Sequence, residues 1–442
     1  MSESAPSPDK TPRTRRNSPT RVLVVTTEPV PLPGFVPSGA GLRAWGLAQG
    51  LHGRQFQVEI AMAADSAQGP VPELHGGVAI SIFQRDHLTE RVRAARPDVL
   101  VMQHWGLMDR LGDVDCPLAI DLAGPHLLER TFWGTPSLEQ DLEQKIAALR
   151  RADFLTCSGE FQRKYFIAFA LQSGFDLADP HLLPVIPFSV APELPTEREH
   201  DATTFAYCGM LLPWQDPRAG IVALVETLAA RGKGRLRLIG ARHPTHDVSM
   251  GKFDALLAQL ATSPRVSLEP PRPFNDLEDL LVSCGVAIDL MARNAEREIA
   301  FTSRTVVYLA CGLPVVHDNY SELSGLIEQY DAGWCLDPED AQAAKALFAR
   351  LLDDPAEAER RRENARRLVR ERLTWDRTIE PLARWCADPR PREKKDLIGS
   401  GNDRIVDLRR RLAHVEGLHR ELAGRRLVKL SNFLRRIGLH GK

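Results

Sequence analysis

Short apolar runs rich in β-branched residues alternate with amphipathic segments along most of this 442-residue chain. In the first half, examples are "RVLVVTTEPV" at 21–30, "PDVLVMQHWG" at 97–106 and "PLAIDLAG" at 117–124. The pattern stops in a polar, proline-bearing stretch at 192–204 and restarts with "FAYCGML" and "GRLRLIGARHP". Strand–helix alternation of this kind is typical of parallel, doubly wound sheets. The sequence therefore predicts an α/β protein with two Rossmann-like domains and a cleft between them.

Changes in composition set the predicted boundaries. Residues 1–20 are rich in Ser, Pro and charge without apolar periodicity, which predicts a disordered basic arm. The alternating stretches predict an N-terminal domain over 21–195 and a C-terminal domain over 203–373. A late helix over 374–388 is expected to pack back on the cleft side. Residues 403–442 are predicted to form a basic amphipathic helix.

The apolar seam of that last helix has two interpretations. Leu427, Leu430, Leu434 and Ile437 follow a spacing of three and four residues, and arginines occupy the opposite face. Such a helix contacts another helix, as in an oligomer, or lies on anionic lipid. The pattern alone does not choose between these partners.

Charge and cysteine content exclude several classes of protein. The formal net charge of the whole chain is −1. Residues 1–21 carry a net charge of +3 and residues 403–442 a net charge of +7, so the rest of the chain carries −11. A nucleic-acid binder usually carries a basic face on the fold itself, so none is expected here. Seven dispersed cysteines without a CxxC pair favour reduced thiols and no metal site. With no apolar signal or spanning segment, the expected location is cytoplasmic, and peripheral contact with the inner face of the plasma membrane stays open.

Candidate site residues follow the predicted strands. The carboxyl ends of parallel strands line the cleft of such folds. Cations, hydroxyls and glycines there suit a ligand with a diphosphate and a polyol, and Thr302 or Ser303 can begin an anion-binding helix. The candidates are Gly39, Gly41, His104, Asp121, His126, Arg242, His243, Glu296, Thr302, Ser303 and Arg304. His104 is also explained as a strand-end packing residue.

Some familiar motifs are absent or misplaced. "GAGLRA" at 39–44 matches GxGxxA, but about eleven residues separate it from the preceding strand, which argues against a dinucleotide site. The patterns GxxxxGK[ST], HExxH and GxSxG do not occur. Phosphate-loop hydrolases, zinc proteases and serine hydrolases therefore lose support.

The order of the remaining features resembles the retaining glycosyltransferases of family 4, which have the GT-B fold. "SGAGLRAWGLAQGLHGRQFQVEIA" looks like their glycine loop, first helix and second strand. "YLACGLPVV", Glu322 and "AGWCLDP" look like their C-terminal signature. "DLAGPHLLE", "GARHP" and "EREIAFTSRTVVYLACGLPVV" resemble a bacterial subgroup. The resemblance covers about residues 21–387 and implies sugar transfer, with retention, from a nucleotide-diphosphate sugar to a glycan or lipid-linked acceptor. Bacterial polysaccharide or glycoconjugate synthesis is the implied setting.

The resemblance also implies roles for matching positions. Gly39 and Gly41 would lie near the donor diphosphate. Arg242, His243 and Arg304 would bind the donor, with N–H groups from the helix start at Thr302 and Ser303. Glu296 would touch the transferred sugar, while Asp121 and His126 would face the reacting centre. No cofactor and no metal ion are expected, since arginines and helix N-termini can stabilise the leaving group.

The chain departs from the family pattern at two places. Val307 stands where the family has a ribose-binding glutamate, and Gln215 and Asp216 stand near the place of a usual lysine. Three hypotheses follow: a variant donor site that uses Arg242 and Arg304, a binding partner without turnover, and a nucleotide-sugar epimerase on the same fold.

Overall fold

The computed structural model describes residues 19–134, 137–241, 249–393 and 410–416. The N-terminal domain contains β1 (Arg21–Thr26), α1 (Gly39–Gly53), β2 (Gln57–Ala63), β3 (Leu74–His75), β4 (Val78–Phe83), α2 (Leu88–Ala95), β5 (Val99–Gln103), β6 (Leu118–Leu122), α3 (His126–Arg130), α4 (Leu138–Arg151), β7 (Phe154–Cys157) and α5 (Glu160–Gln172).

The C-terminal domain repeats the same alternation. It contains β8 (Asp201–Cys208), α6 (Arg218–Arg231), β9 (Arg235–Ile239), α7 (Asp254–Ala261), β10 (Val266–Glu269), α8 (Phe274–Val282), β11 (Cys284–Asp289), α9 (Ala295–Ile299), α10 (Ser303–Ala310), β12 (Val315–Asp318), α11 (Glu322–Tyr330), β13 (Gly333–Leu336), α12 (Ala341–Asp353) and α13 (Ala356–Arg372). Two short helices, α14 (Trp375–Thr378) and α15 (Glu380–Ala387), follow.

Each domain is built on one sheet. The strand order is β3-β4-β2-β1-β5-β6-β7 in the first domain and β10-β9-β8-β11-β12-β13 in the second. Every pair is parallel except the short β3–β4 pair. The strand order reverses at β1/β5 and β8/β11, where a crevice opens at the carboxyl ends. The predicted fold of two doubly wound domains is confirmed.

The apolar runs form strands because helices cover both faces of each sheet. Successive residues of β1 point to opposite faces: Leu23 and Val25 join one core, and Val22 and Val24 join the other. The second sheet likewise has a core on each face. Continuous apolar runs rather than alternating ones are what such a sheet requires.

The late segment, expected to be a single helix, forms two. α14 packs on α1, and α15 begins with Pro381 in its first turn, where a missing N–H costs nothing. Ile379, Leu382 and Cys386 lie in a core of the N-terminal domain. The end of the chain thus returns to the domain in which it began.

The two ends of the chain are described only in part. Residues 410–416 are helical and exposed. The rest of the predicted helix over 403–442, and residues 1–18 of the predicted arm, lie outside the described residues. Among the residues that are described, no helix has the length and apolar character needed to cross a membrane.

Candidate active site between the two domains

The first turns of α1 and α10 meet at the domain junction. Ser38 caps α1 by accepting a hydrogen bond from the Gly41 N–H (3.0 Å), and a Cβ placed on Gly39 would lie 2.6 Å from Ser303 Oγ. Thr302 does not cap α10, because its hydroxyl bonds to the Thr305 hydroxyl (2.9 Å) instead. Two helix N-termini, each with free N–H groups and a positive dipole end, therefore converge from opposite domains.

The two glycines in the first turn of α1 contact different neighbours. At Gly39 the neighbour is the other domain, so the missing side chain keeps the junction narrow. At Gly41 a Cβ would lie 1.9 Å from the Pro29 carbonyl oxygen within the same domain. Gly41 is thus required for packing α1 on the preceding loop. Gly41 is two residues, about half a helical turn, from Gly39 at the junction, and its place near the donor diphosphate stays a prediction.

Arg304 lies directly behind this junction. Its guanidinium donates to the Tyr207 hydroxyl (2.9 Å), to Asp289 Oδ1 (3.2 Å) and to Gln215 Oε1 (3.0 Å), and it stacks on the Tyr207 ring. Gly209, at the carboxyl end of β8, leaves the space that the guanidinium occupies. Arg304 is therefore a fixed cation at the end of β8, where the lysine of the resembled family is missing.

Asp289 holds this cation in place. It ends β11, is 1% exposed and accepts a hydrogen bond from the Thr305 hydroxyl (2.5 Å). Burial alone would raise the pKa of Asp289, but Arg304, His317 and Thr305 together bring that pKa below its ordinary value. An ionised Asp289 offsets the buried charge of Arg304 and fixes its orientation.

Glu296 and Arg297 form a closed pair on α9. Asn294 caps this helix by accepting from the N–H groups of both residues. The Arg297 guanidinium donates to both carboxylate oxygens of Glu296 (2.6 and 2.8 Å), and the two side chains are almost fully buried. Burial raises the pKa of Glu296, and Arg297 opposes that rise. The contact of Glu296 with the transferred sugar stays a prediction. It would require the Glu296 carboxylate to bind Arg297 and the sugar together, or to turn away from Arg297.

Asp121 is paired in a similar manner in the other domain. Arg43 donates to both of its carboxylate oxygens (2.6 and 2.7 Å), and the Thr156 hydroxyl adds a third hydrogen bond (2.6 Å). Arg43 also donates to the Ile186 carbonyl oxygen. This buried pair joins β6 to α1. The geometry shows a joining role for Asp121, and its predicted role at the reacting centre stays untested.

His126 and His104 lie side by side at the carboxyl edge of the first sheet. Their ring centroids are 5.1 Å apart, and His126 Nδ1 lies 3.4 Å from Glu129 Oε2. The Gly106 N–H donates to His104 Nδ1 (3.0 Å), which leaves the proton of the neutral ring on Nε2. Burial, with contributions from His126 and Lys145, lowers the pKa of His104 to about 3. Both histidines are partly exposed at this edge, and His126 is the one with a carboxylate beside it.

The remaining predicted positions divide into two groups. Arg242 and His243 lie outside the described residues, so their donor-binding role stays a prediction. Val307 is described and is 5% exposed in the core behind α10. The family's ribose carboxylate is therefore replaced by an apolar side chain that packs inward.

Some residues of the site were not predicted. Asp289 is the clearest case, since Ala-Ile-Asp-Leu ends β11 as it ends β6 around Asp121. That repeat was a readable signal for a second strand-end carboxylate. Arg43 gave no such signal, because its partner Asp121 is distant in sequence. Arg297 is next to Glu296 in sequence, but only the fold turns the two side chains toward each other.

Several contacts around α9 join the C-terminal domain to the N-terminal domain. α9 packs on α3 and on α5. On the α3 side the Trp133 ring contacts the Trp214 ring edge-on (5.0 Å). On the α5 side Glu322 accepts a hydrogen bond from the Phe161 N–H (3.0 Å). The predicted residues Glu296 and His126 thus belong to segments that face each other across the cleft.

Comparisons with known proteins agree with this arrangement. Residues 218–384 match the family described as "Glycosyl transferase-like". Sucrose-phosphate synthase from Thermosynechococcus elongatus is similar in structure (TM-score 0.62, 16% identity, 83% of this chain and 98% of that chain). Anabaena HepE in complex with UDP and glucose is similar too (TM-score 0.63, 15% identity, 84% and 100%). Trehalose-6-phosphate synthase OtsA gives a TM-score of 0.57 at 14% identity over 84% and 100%. No curated protein matches the chain by sequence.

The matched domain and the two-domain fold define a class. The two-domain fold is that of the GT-B glycosyltransferases. The match over residues 218–384 confirms the predicted enzyme class, a glycosyltransferase.

Proposed function

We propose that this protein transfers a sugar from a nucleotide-diphosphate donor to a glycan or lipid-linked acceptor. The observation that carries the proposal is the meeting of α1 and α10, with Gly39 against Ser303 and Arg304 fixed behind them. Two helix N-termini and the guanidinium of Arg304 beside them supply the N–H donors and positive charge that bind a diphosphate.

The donor is proposed to be a UDP-sugar. Solved structures with this fold include one in complex with UDP and glucose and others with UDP or UDP-glucose. At 10–16% identity these neighbours support the fold, and the base is carried over to this chain only as a hypothesis. Since Val307 replaces the ribose carboxylate, the ribose would be held by backbone groups or not at all.

The proposed chemistry places leaving-group stabilisation at the junction. As the glycosidic bond breaks, negative charge grows on the diphosphate, and preoriented N–H groups with Arg304 stabilise it without reorganisation. Glu296 and Arg297 on α9 would face the transferred sugar, where an oxocarbenium-like charge develops. Asp121 is assigned to holding α1 through Arg43, and His126 to the acceptor side. Retention of configuration, independence of metal ions and a role in bacterial surface polysaccharide or glycoconjugate synthesis belong to this proposal.

Titration calorimetry with UDP, GDP and dTDP tests the donor assignment. Wild-type protein is compared with Gly39→Ala, which brings a methyl group against Ser303, and with Gly53→Ala. Gly53 ends the same helix, and a Cβ there meets nothing within 4 Å. We expect one diphosphate to bind wild type and Gly53→Ala equally, and Gly39→Ala about tenfold or more weakly, a loss of about 1.4 kcal/mol. If none of the three binds wild type, the donor site is assigned wrongly.

Two further measurements test the rest of the proposal. Incubation with the bound sugar nucleotide alone distinguishes transfer from epimerisation, since only an epimerase changes the sugar without an acceptor. Flotation with anionic liposomes, with and without residues 403–442, tests peripheral membrane contact. Unchanged flotation of the shortened chain would exclude lipid contact through that segment.

A further inference from the structure

The start of α5 lacks a capping side chain of its own. Its N-cap residue is Gly159, which has none to offer. The free N–H groups of a helix start require acceptors from elsewhere. Here the acceptor comes from the other domain: the Phe161 N–H donates to Glu322 Oε2 (3.0 Å). Glu322 is the first residue of α11, so one carboxylate serves two helix N-termini at once.

The space around this contact is closely filled. A Cβ placed on Gly159 would lie 2.5 Å from Glu322 Oε2 and 3.3 Å from the Phe301 ring. Phe301 is 8% exposed and belongs to a core of the C-terminal domain. The start of α5 is thus one place where the two domains are joined, by the hydrogen bond of the Phe161 N–H and by the contact of Gly159 with Phe301.

The contact is connected to the donor junction through the chain. Phe301, which packs on Gly159, is two residues from Ser303, which meets Gly39. α9, which carries Glu296, precedes Phe301 directly and packs on α5. A displacement at Gly159 would therefore move both the first turn of α10 and the segment that bears Glu296.

We propose that Glu322 is a positioning residue that caps α5 across the cleft and holds the two domains in the arrangement that forms the donor junction. This inference rests on the proposed function for its consequence in donor binding. Its structural part, the connection between the domains, is independent of which donor is used. A misplacement of about 1 Å at the junction is enough to weaken ligand contacts and catalysis strongly.

Four variants of the full chain test the inference from both sides of the contact. Glu322→Ala removes the acceptor, whereas Glu322→Gln keeps an acceptor without the charge. Gly159→Ala crowds the contact from the N-terminal domain, and Gly159→Ala combined with Glu322→Ala relieves that crowding. Glu328→Ala changes an exposed glutamate of the same helix and is the matched control.

Hydrogen exchange at 159–163 is the structural readout, and calorimetry with UDP is the functional one. In Glu322→Ala we expect exchange at the start of α5 to be about tenfold faster or more and UDP binding to be about tenfold weaker. Glu322→Gln should keep both within about threefold of wild type, since a neutral acceptor still caps the helix. The double variant should lie closer to Glu322→Ala alone than to Gly159→Ala, because the nearest atoms to a Cβ on Gly159 belong to the carboxylate and only the milder contact with Phe301 remains.

The outcomes are distinguishable from a failure of the proposed function. If wild type binds no UDP, the donor assignment fails, and the exchange data alone decide whether Glu322 connects the domains. If Glu322→Ala leaves exchange at 159–163 unchanged, the inference is overturned. It is also overturned if UDP binding to Glu322→Ala and to Glu328→Ala is the same as to wild type.

Discussion

Acidic residues beneath the cleft are held by arginines, which decides what a substitution there will do. Asp121 with Arg43, Glu296 with Arg297, and Asp289 with Arg304 all lie in the interior. Removing one partner of a buried ion pair leaves the other charge without compensation. Substitution of any of these residues is therefore expected to lower the free energy of unfolding, whether or not the residue also takes part in catalysis.

For Asp121→Ala we expect the free energy of unfolding to fall by about 3–5 kcal/mol, because Arg43 stays buried without its carboxylate. Urea denaturation measures the change. Asp65→Ala is the control, since Asp65 pairs with Arg85 at an exposed site and should cost under about 1 kcal/mol. Equal losses in the two variants would contradict the assignment of Asp121 to holding α1.

Lys145 is the opposite case, a buried cation whose ammonium finds no hydrogen-bond partner among the residues that the structure describes. Its side chain is fully buried among the rings of Tyr165, Phe166 and Phe169, and burial lowers its pKa to about 7. Because the unfolded chain binds this proton more tightly, stability due to Lys145 rises with pH from about 7 to the unfolded pKa near 10.4.

For Lys145→Met we expect stability at pH 7 to rise by about 1–4 kcal/mol, since a side chain of similar size no longer has to lose a proton or bury a charge. The slope of stability between pH 7 and 9 should also decrease. Thermal denaturation over that pH range measures both effects. Lys164→Met, at an exposed position of α5, is the control and should change neither.

At the scale of elements, α1 is positioned by close contacts of its backbone with three neighbours. Gly39 meets α10, Gly41 meets the loop before α1, and a Cβ on Gly50 would lie 2.8 Å from Ile379. A helix with these glycines approaches three neighbours more closely than any larger side chain would allow. The glycines of α1 thus allow close packing, and their predicted role beside a donor ligand stays a prediction.

Gly41→Ala is expected to lower the free energy of unfolding by about 1–3 kcal/mol or more, because its Cβ would overlap the Pro29 carbonyl oxygen. Gly53→Ala in the same helix should be neutral or stabilising by up to about 1 kcal/mol. Denaturant titration compares the two. A neutral Gly41→Ala would show that the loop before α1 moves aside freely.

At the scale of the whole molecule, the segment that follows the C-terminal domain packs into the N-terminal domain. The chain leaves the C-terminal domain after α13, and α15 completes a core of the N-terminal domain. Arg392 then donates to carbonyl oxygens at the C-terminal ends of α4 and α5. The N-terminal domain is therefore incomplete without residues that follow the other domain in sequence.

Leu382→Ala should destabilise the N-terminal domain by about 2–5 kcal/mol, because Leu382 is fully buried in its core. Hydrogen exchange is expected to increase in β1 and β2 more than in β8 and β11. Leu351→Ala, in a core of the C-terminal domain, should give the reverse pattern. Exchange that rises equally in both sheets would mean that the domains unfold as one unit.

The sequence by itself determined the fold class and the edge on which the site lies. Apolar runs of strand length, helices between them and a polar break at 192–204 leave few alternatives to two doubly wound domains. Strand ends then gave Asp121, Glu296 and Arg304 as candidates, because polar residues after buried strands must lie at the crevice. The break of the late segment into two helices was not predicted, although Pro381 was a signal for it, since proline suits the first turn of a helix and disrupts a helix interior.

Only the tertiary structure decided which of these side chains are available and what they contact. The partner of Asp121 is 78 residues away in sequence, and the partner of Arg304 is 15 residues away on another element. Periodicity records whether a face is buried, but it carries no information about which buried groups meet. The closeness of Gly39 to Ser303, and the capping of α5 by Glu322, arise because two separately folded sheets pack at one particular orientation.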